Sequence, residues 1–252
     1  MPLTSKTLLI TGATSGFGAA TARLAVARGA RVVITGRRNE RLLALREELG
    51  AEKAHPLCFD IRDKEAVGMA LASIPEHFRP FDALINNAGL ALNTAPAQDV
   101  PLAQWEQMIE TNIGGLLYMT RAVLPEMLAR NAGHIVNVGS MAGNYPYPGA
   151  NVYGATKAFV KQFSLNLRAD LLGSNIRVTN LEPGLAETEF SEVRLGNKDK
   201  ATEVYKGTKP LKAEDIAECI LFVLSLPAHV NVNRMEIMPV CQASGALAVN
   251  RI

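Results

Sequence analysis

The chain has 252 residues, of which 48% are apolar and 20% charged, and its formal net charge is +2. This composition is typical of one folded α/β domain with a large core, and we predict a single domain over 1–252. So small a net charge predicts no nucleic-acid partner. Apolar runs such as ILFVLSL around Leu221 are too short to cross a membrane, so no membrane association is predicted either.

Cysteine and histidine usage indicates a reduced compartment and no metal site. Cys58, Cys219 and Cys241 are odd in number, widely spaced and without a CxxC pair, so we expect small buried side chains. The four histidines are isolated from one another. The N-terminus runs straight into a strand pattern, without the basic and apolar regions of a secretory leader, which predicts a cytoplasmic protein.

Short apolar runs alternate with longer amphipathic ones, which is typical of βαβ units and a doubly wound parallel sheet of the Rossmann type. The predicted strands are 7–11, 31–36, 54–61, 81–89, 133–140, 176–184 and one near 234–240. The predicted helices are 16–28, 39–49, one from about 64, 102–130, 152–172 and 213–226. The stretch from about 185 to 210 is polar and irregular, and an excursion of this length indicates a substrate loop or lid.

A glycine-rich turn, TGATSGFG, follows the first predicted strand, with glycines at 12, 16 and 18. Glycine is needed where a strand turns sharply into a helix and where backbone approaches a pyrophosphate closely. The helix that follows would direct free amides and a partial positive charge at the phosphates. The turn therefore predicts a dinucleotide site, with a purely structural turn as the alternative.

Two arginines after the second strand indicate which dinucleotide binds. Dinucleotide sites commonly place an acidic residue there for the ribose hydroxyl, whereas ITGRRNER has no acid before Glu40. Arg37 and Arg38 offer guanidinium forks for a phosphate, which favours NADP, unless the pair is only a solvated helix start. Asp60 ends the third strand, where it can accept from the adenine amino group, cap the next helix, or both.

Tyr153 and Lys157 stand four residues apart in NVYGATKAFV, which places them on one face of a helix. A free tyrosine has a pKa of about 10, and a cation held close favours the phenolate and lowers that pKa. Ser140 closes the fifth strand and can supply a hydroxyl to the same pocket. We predict an acid/base group here; the alternative is a surface tyrosine beside a solvated lysine.

Taken together, these residues resemble the short-chain dehydrogenase/reductase family, over nearly the whole chain. The motifs that carry the resemblance are TGATSGFG (11–18), Asp60, NNAG (86–89), Asn112 in TNIGG, Ser140, YGATK (153–157) and PG (183–184). The resemblance implies that Tyr153 is the general acid/base, and that Lys157 lowers its pKa and binds the nicotinamide ribose. Ser140 would hold the substrate oxygen, and Asn112 would link Lys157 to a water-mediated proton path.

The implied sites follow residue by residue from those motifs. The catalytic residues would be Ser140, Tyr153, Lys157 and Asn112, with Ser140 and Tyr153 also binding the substrate. The NADP-binding residues would be Gly12, Thr14, Ser15, Gly16, Phe17, Gly18, Arg37, Arg38, Asp60, Ile61, Asn87, Tyr153, Lys157, Pro183, Gly184 and Thr188. The resemblance also implies a homotetramer, in keeping with apolar stripes on the two helices 102–130 and 152–172.

A closer likeness is carried by NYPYPGANVYGATKAFVKQFSLNLRADL, EPGLAETEFSEVR and LPAHVNVNRMEIMPV. These stretches are similar to the NADP-dependent 3-hydroxy acid dehydrogenases, which implies hydride transfer between the cofactor and serine, allo-threonine, 3-hydroxyisobutyrate or 3-hydroxypropionate. A 3-ketoacyl-thioester or general carbonyl reductase with the same catalytic set remains an alternative, as does a nucleotide-sensing scaffold without activity. Arg194, the one arginine within 185–210, is our candidate for binding the substrate carboxylate, unless it is a solvated loop charge.

Overall fold

The computed structural model describes residues 3–244, so the two ends of the domain predicted over 1–252 lie outside the described residues. The strands are β1 Thr7–Ile10, β2 Arg31–Gly36, β3 Ala54–Cys58, β4 Ala83–Asn86, β5 Gly133–Val138, β6 Ile176–Pro183 and β7 Arg234–Ile237. The α-helices are α1 Gly16–Ala27, α2 Asn39–Leu49, α3 Lys64–Ala72, α4 Leu102–Ile109, α5 Leu116–Arg130, α6 Asn151–Asp170, α7 Phe190–Leu195, α8 Lys198–Tyr205 and α9 Ala213–Ser225.

The strands form one sheet in the order β3-β2-β1-β4-β5-β6-β7, and every neighbouring pair is parallel. The strand order reverses between β1 and β4, and ligands of open α/β sheets bind in the crevice at the carboxyl ends of the strands at such a point. The predicted doubly wound parallel sheet is confirmed, and the glycine-rich turn opens directly into this crevice.

Alternating side chains of the central strands pack into two apolar layers. Leu8 and Ile10 of β1 join a cluster with α1, α2 and α9, whereas Leu9 lies between them in sequence and joins a cluster with α3, α5 and α6 on the other face. Successive side chains of a strand point to opposite faces, and a parallel sheet is normally covered on both. This is why the predicted central strands read as continuous apolar runs.

The helix predicted over 102–130 is two helices joined by a π-helical turn, Glu110–Gly115, so the prediction of one continuous helix is wrong. A π-helical turn inserts an extra residue and changes the direction of the side chains that it carries. Asn112 lies in this turn and is buried. The interruption therefore delivers a polar side chain into the interior beside α6.

The stretch predicted as an irregular loop at 185–210 contains α7 and α8, so the prediction of irregular structure there is wrong. Its two ends meet in a parallel bridge between Ala186 and Leu211, and the Leu211 amide donates to the Leu185 carbonyl at 3.0 Å. The Tyr205 hydroxyl, at the end of α8, donates to the Ala186 carbonyl at 3.0 Å. Residues 187–210, here called the α7–α8 segment, thus form a helical excursion that is pinned at its base.

The cysteines depart from their predicted burial. Cys58 is exposed, Cys219 and Cys241 are half-buried, and all three are free thiols. Within residues 3–244, no helix is both long enough and apolar enough to cross a membrane.

Candidate active site

Tyr153 and Lys157 lie on α6 with their side chains buried at the inner end of a cavity, as the four-residue spacing predicts. The Ser140 hydroxyl lies beside the Tyr153 phenol and lowers its pKa through hydrogen bonding, so the end of β5 and the start of α6 meet at this point. Ser140 also accepts from the Ala142 amide at 3.1 Å, which fixes its side chain at the first turn after the strand. The surface alternative for Tyr153 and Lys157 is therefore wrong.

The Lys157 amine is held between the sheet and the tyrosine ring. Its Nζ donates to the Val138 carbonyl at 2.8 Å and lies 5.9 Å from the centroid of the Tyr153 ring. A Cβ built on Gly89 would lie 3.3 Å from this Nζ and 3.2 Å from Asn112 Oδ1. The glycine at position 89 therefore leaves room for the lysine and the asparagine to approach one another.

Asn112 is fixed by hydrogen bonds on both sides of its amide. Its Oδ1 accepts from the Leu90 amide at 2.8 Å, and its Nδ2 donates to the Leu90 carbonyl at 2.8 Å and to Thr156 Oγ1 at 3.0 Å. Thr156 in turn donates to the Tyr153 carbonyl at 2.7 Å. Asn112 thus joins the loop after β4 to α6, behind Lys157.

Burial dominates the protonation of this group. It raises the pKa of Tyr153 above the ordinary value, against the Ser140 hydrogen bond and the Arg194 charge, which lower it. It also lowers the pKa of Lys157 to about 8. The expected net lowering of the Tyr153 pKa by Lys157 is not found in this structure, because the cost of a buried phenolate exceeds the effect of the neighbouring cations.

The glycine-rich turn has the geometry that its sequence predicts. Gly12 and Gly16 have φ angles of +67° and +51°, which side-chain-bearing residues rarely adopt. A Cβ on Gly18 would lie 2.5 Å from the Gly12 carbonyl oxygen, so the helix could not pack against the turn with any larger residue there. The Ser15 hydroxyl accepts from Arg38 Nη2 at 2.7 Å, and Gly16 and Phe17 at the start of α1 line the cavity.

Asn87 braces the same turn from the neighbouring strand. Its Nδ2 donates to the carbonyls of Thr11 and Gly12 at 2.9 and 3.1 Å. Thr11 Oγ1 accepts from the amides of Asn87 and Ala88 at 3.0 and 2.9 Å. The NNAG turn is therefore bound to the glycine-rich turn through side chains of both.

The two arginines after β2 differ in their surroundings. More than half of the Arg37 side chain is exposed (55%), and its guanidinium lies 3.7 Å from Asp60. Arg38 instead donates to Thr14, Ser15 and Glu189. Arg37 is therefore the freer of the two to take a phosphate.

Asp60 is held by Arg62, which donates to both carboxylate oxygens at distances down to 2.7 Å. Hydrogen bonding from Arg62 lowers the pKa of Asp60, so the carboxylate stays ionised. The cap of α3 is Asp63, whose side chain accepts from the amides of Glu65 and Ala66. The helix-cap alternative for Asp60 is therefore wrong, while its carboxylate remains on the cavity wall.

One cavity of about 680 Å³ brings nearly all of the predicted residues together. The predicted residues that line it are Gly12, Thr14, Ser15, Gly16, Phe17, Arg37, Arg38, Asp60, Ile61, Asn87, Ser140, Tyr153, Lys157, Pro183, Gly184 and Thr188. Gly18 and Asn112 lie just behind the wall, the first under the glycine-rich turn and the second beside Lys157. Among residues 3–244, no group of three metal-ligating side chains is found.

Arg194 faces this cavity from α7, so it is not a solvated loop charge. Its guanidinium lies over the rings of Tyr147 and Tyr153, 5.4 and 5.9 Å from their centroids. Its Nη1 donates to the Tyr147 hydroxyl at 3.3 Å and its Nη2 to the Gly149 carbonyl at 3.5 Å. Its Nε is buried and has no hydrogen-bond partner within the described part of the chain.

Tyr147, Gln242 and Glu189 are among the cavity-lining side chains that escaped the sequence analysis. Gln242 is buried and accepts from the Leu185 amide at 2.7 Å, next to the Pro183-Gly184 turn. Of these three residues, only Tyr147 could have been suspected from the sequence, since it lies in the tyrosine-rich stretch just before α6. Gln242 and Glu189 reach the site through contacts between distant parts of the chain.

A cavity lined at one end by a glycine-rich strand-to-helix turn and at the other by a buried phenol is typical of a nicotinamide-dependent oxidoreductase. The chain belongs to the short chain dehydrogenase family, which it matches over residues 6–198. The predicted family is therefore confirmed.

Individual relatives are similar to this chain over nearly their whole length. The NADP-dependent 3-hydroxy acid dehydrogenase YdfG of Salmonella typhi is 54% identical over 246 residues, which are 97% of this chain and 99% of that protein. Sulfoacetaldehyde reductase 2 of Chromohalobacter salexigens is 54% identical over 250 residues, 98% of this chain and 99% of that protein. A structure of the closed form of serine dehydrogenase complexed with NADP+ has a TM-score of 0.93 and 52% identity, and covers 98% of this chain and 100% of its own.

Proposed function

We propose that the protein transfers hydride between NADP and a small 3-hydroxy acid such as serine, allo-threonine, 3-hydroxyisobutyrate or 3-hydroxypropionate. The dehydrogenase activity on CH–OH groups and the NADP dependence predicted from the sequence are confirmed by the relatives that have them. The observation that carries the substrate class is a cation beside the proton donor: the Arg194 guanidinium lies 5.9 Å from the Tyr153 ring. An acid bound there presents its carbinol carbon near the phenol.

The residues of the cavity fit NADP. Gly12 and Gly16 shape the turn against which the pyrophosphate would lie, and the free amides at the start of α1 would bind it. Arg37 supplies an exposed guanidinium for the 2′-phosphate. When bound, NADP supplies the hydride acceptor or donor of the reaction.

Tyr153 carries the proton of the reaction. Because burial raises its pKa, the phenol is protonated near neutral pH and is ready to donate to the oxygen of a carbonyl substrate. In the oxidation direction the same phenol oxygen accepts the hydroxyl proton. Ser140, whose hydroxyl lies beside the phenol, orients and polarises the substrate oxygen.

Lys157 and Asn112 support this proton transfer from behind. With a pKa of about 8, Lys157 is mostly charged near neutral pH and sits between the sheet and the phenol. Asn112 fixes the loop after β4 against α6 close to Lys157, and in this proposal it links Lys157 to a water-mediated proton path. These roles support the catalytic set that the family resemblance implies.

We expect Arg194→Ala to raise the Michaelis constant for serine or 3-hydroxybutyrate by about tenfold or more, because a charge-assisted hydrogen bond contributes roughly 1.5–3 kcal/mol. The measurement compares each acid, together with 2-hydroxyethanesulfonate, with uncharged alcohols of similar size, for the native protein and the variant, with NADP.

Arg194→Lys serves as the matched variant, since it keeps the charge and loses the planar fork, and we expect an intermediate Michaelis constant. Uncharged alcohols should be turned over equally well by all three proteins. An unchanged preference for acids over their neutral analogues in Arg194→Ala would rule this residue out as the carboxylate ligand.

Exposed apolar side chains on two neighbouring helices bear on the oligomeric state of the protein. Leu102 and Ile109 on α4 and Phe159 on α6 are exposed apolar side chains, and Phe159 stacks on Phe163 at 6.0 Å. Such surfaces on adjacent helices support assembly into a homotetramer. The three free thiols support a cytoplasmic location.

A further inference from the structure

The carboxylate of Glu189, which lies directly before α7, is bound by two arginines of the cofactor side. Arg41 Nη1 donates to its Oε1 at 2.5 Å, and Arg38 Nη1 donates to its Oε2 at 2.8 Å. Burial would raise the pKa of Glu189, but the hydrogen bonds from Arg38 and Arg41 and their charges outweigh it and lower the pKa to about 2. The carboxylate therefore stays ionised throughout the working pH range.

Arg38 joins this carboxylate to the glycine-rich turn. Its Nε and Nη2 donate to Thr14 Oγ1 at 3.0 and 2.7 Å, and Nη2 also donates to Ser15 Oγ at 2.7 Å. Nε and Nη2 of the Arg38 guanidinium are thus hydrogen-bonded to the glycine-rich turn, and Nη1 donates to Glu189. One side chain therefore bridges the dinucleotide-binding turn and the α7–α8 segment.

Glu189 stands at the start of the helix that carries the substrate-facing side chains. Phe190 follows at once, and its ring lies 5.5 Å from the ring of Tyr153. Arg194 lies on the same short helix and faces the same phenol. Because α7 has only six residues, a displacement at its start moves both side chains relative to the proton donor.

The other attachments of the α7–α8 segment lie away from the glycine-rich turn. Its base is the bridge between Ala186 and Leu211, and the Arg194 carbonyl accepts from the Asn93 amide at 2.9 Å on the loop after β4. Thr188, the residue before Glu189, also packs beside Gly16, but the charged attachment of the segment to the glycine-rich turn and α2 is the one through Glu189.

We propose that Glu189 is a positioning residue that fastens α7 to the glycine-rich turn and α2 through Arg38 and Arg41, and so holds Arg194 and Phe190 in place against Tyr153. This inference rests on the proposed function in one respect, the role of Arg194 toward an acidic substrate. The carboxylate of Glu189 is bonded by Arg38 and Arg41, and in this proposal it acts through them rather than on the substrate. Its loss should therefore weaken substrate binding more than it slows turnover at saturation.

The test is Glu189→Gln, which removes the charge and keeps the shape, with Glu192→Gln as the matched control. Glu192 is exposed on the same helix and does not line the cavity. For Glu189→Gln we expect the Michaelis constant for the acid to rise about three- to tenfold, since partly exposed ion pairs are individually modest. We expect kcat and the NADPH dissociation constant to stay within about twofold, and Glu192→Gln to match the native protein in all three quantities.

Arg41→Gln provides an independent variant, since it removes one of the two partners. It should raise the same Michaelis constant, and the effect of Glu189→Gln should be smaller in its background than in the native protein, because the two residues act through one contact. Fully independent effects of the two substitutions would contradict the proposal.

Amide hydrogen exchange of α7 gives a readout that does not depend on activity. We expect faster exchange over 190–195 in Glu189→Gln than in Glu192→Gln, with unchanged exchange in the central strands. If the native protein oxidised no acid at all, the proposed function would fail while this readout still decided the role of Glu189. Equal exchange in both variants, an unchanged Michaelis constant, or a parallel loss of NADPH binding would each overturn the proposal.

Discussion

Replacing Tyr153 by Phe is expected to abolish turnover while NADPH binding survives. The substitution removes only the phenolic oxygen, and the ring keeps its packing against Phe190. A positioned general acid/base contributes roughly 10²–10⁴-fold to rate. We therefore expect kcat to fall more than about a hundredfold, with the NADPH dissociation constant, measured by fluorescence titration, close to native.

Tyr145→Phe is the matched control, because it also removes a phenolic hydroxyl a few residues away. That hydroxyl donates to Glu236 Oε1 at 3.1 Å and does not line the cavity. Its turnover should be near native. A Tyr153→Phe protein that keeps more than about a hundredth of the native rate would show that another group moves the proton.

Neutralising both arginines after β2, in the variant Arg37→Gln with Arg38→Gln, is expected to weaken NADPH binding more than tenfold and NADH binding much less. A hydrogen bond to a charged group is worth roughly 1.5–3 kcal/mol, and only NADPH carries the 2′-phosphate. The structure adds that Arg37→Gln alone should account for most of this loss, since Arg38 is engaged by Thr14, Ser15 and Glu189.

The measurement is the ratio of the two dissociation constants for each variant, with Arg46→Gln as the control. Arg46 lies near the C-terminal end of α2, the helix that follows the two arginines, is exposed and does not line the cavity. It should leave the ratio unchanged. Equal losses for NADPH and NADH in the double variant would mean that the arginines are structural only.

Features governed by local backbone or by fixed spacing could be predicted from the sequence. The glycines of the first turn are required by their positive φ angles and close contacts, and the four-residue spacing places Tyr153 and Lys157 on one helix face. The seven strands were found within a few residues of their bounds because parallel strands buried on both faces form continuous apolar runs.

Features that depend on contacts between distant elements could not be predicted from the sequence. The helices α7 and α8 are short and largely polar, and they are held by the Ala186–Leu211 bridge and the Tyr205 hydroxyl rather than by an apolar stripe. Glu189 binds Arg38 and Arg41 from 151 and 148 positions away in sequence. No local sequence pattern predicts an ion pair between residues so far apart in the chain.

The protonation of the site also depends on the assembled fold. The sequence indicated a cation beside a phenol and hence a lowered pKa for Tyr153. The structure buries that phenol, and burial raises the pKa by more than Ser140 and Arg194 lower it. The resulting pKa of Tyr153 depends on how completely the surrounding elements exclude water, and the spacing of residues in the sequence does not indicate this.

The transfer of deuterium from substrate to cofactor tests the proposed reaction most directly. The protein is incubated with NADP+ and serine, or 3-hydroxypropionate, deuterated at C3, and the reduced nicotinamide is examined by mass spectrometry. We expect NADPH that carries one deuterium per molecule, with NAD+ a much poorer acceptor. Reduced cofactor without deuterium, or no reduced NADP from either acid, would contradict hydride transfer from a 3-hydroxy acid to NADP.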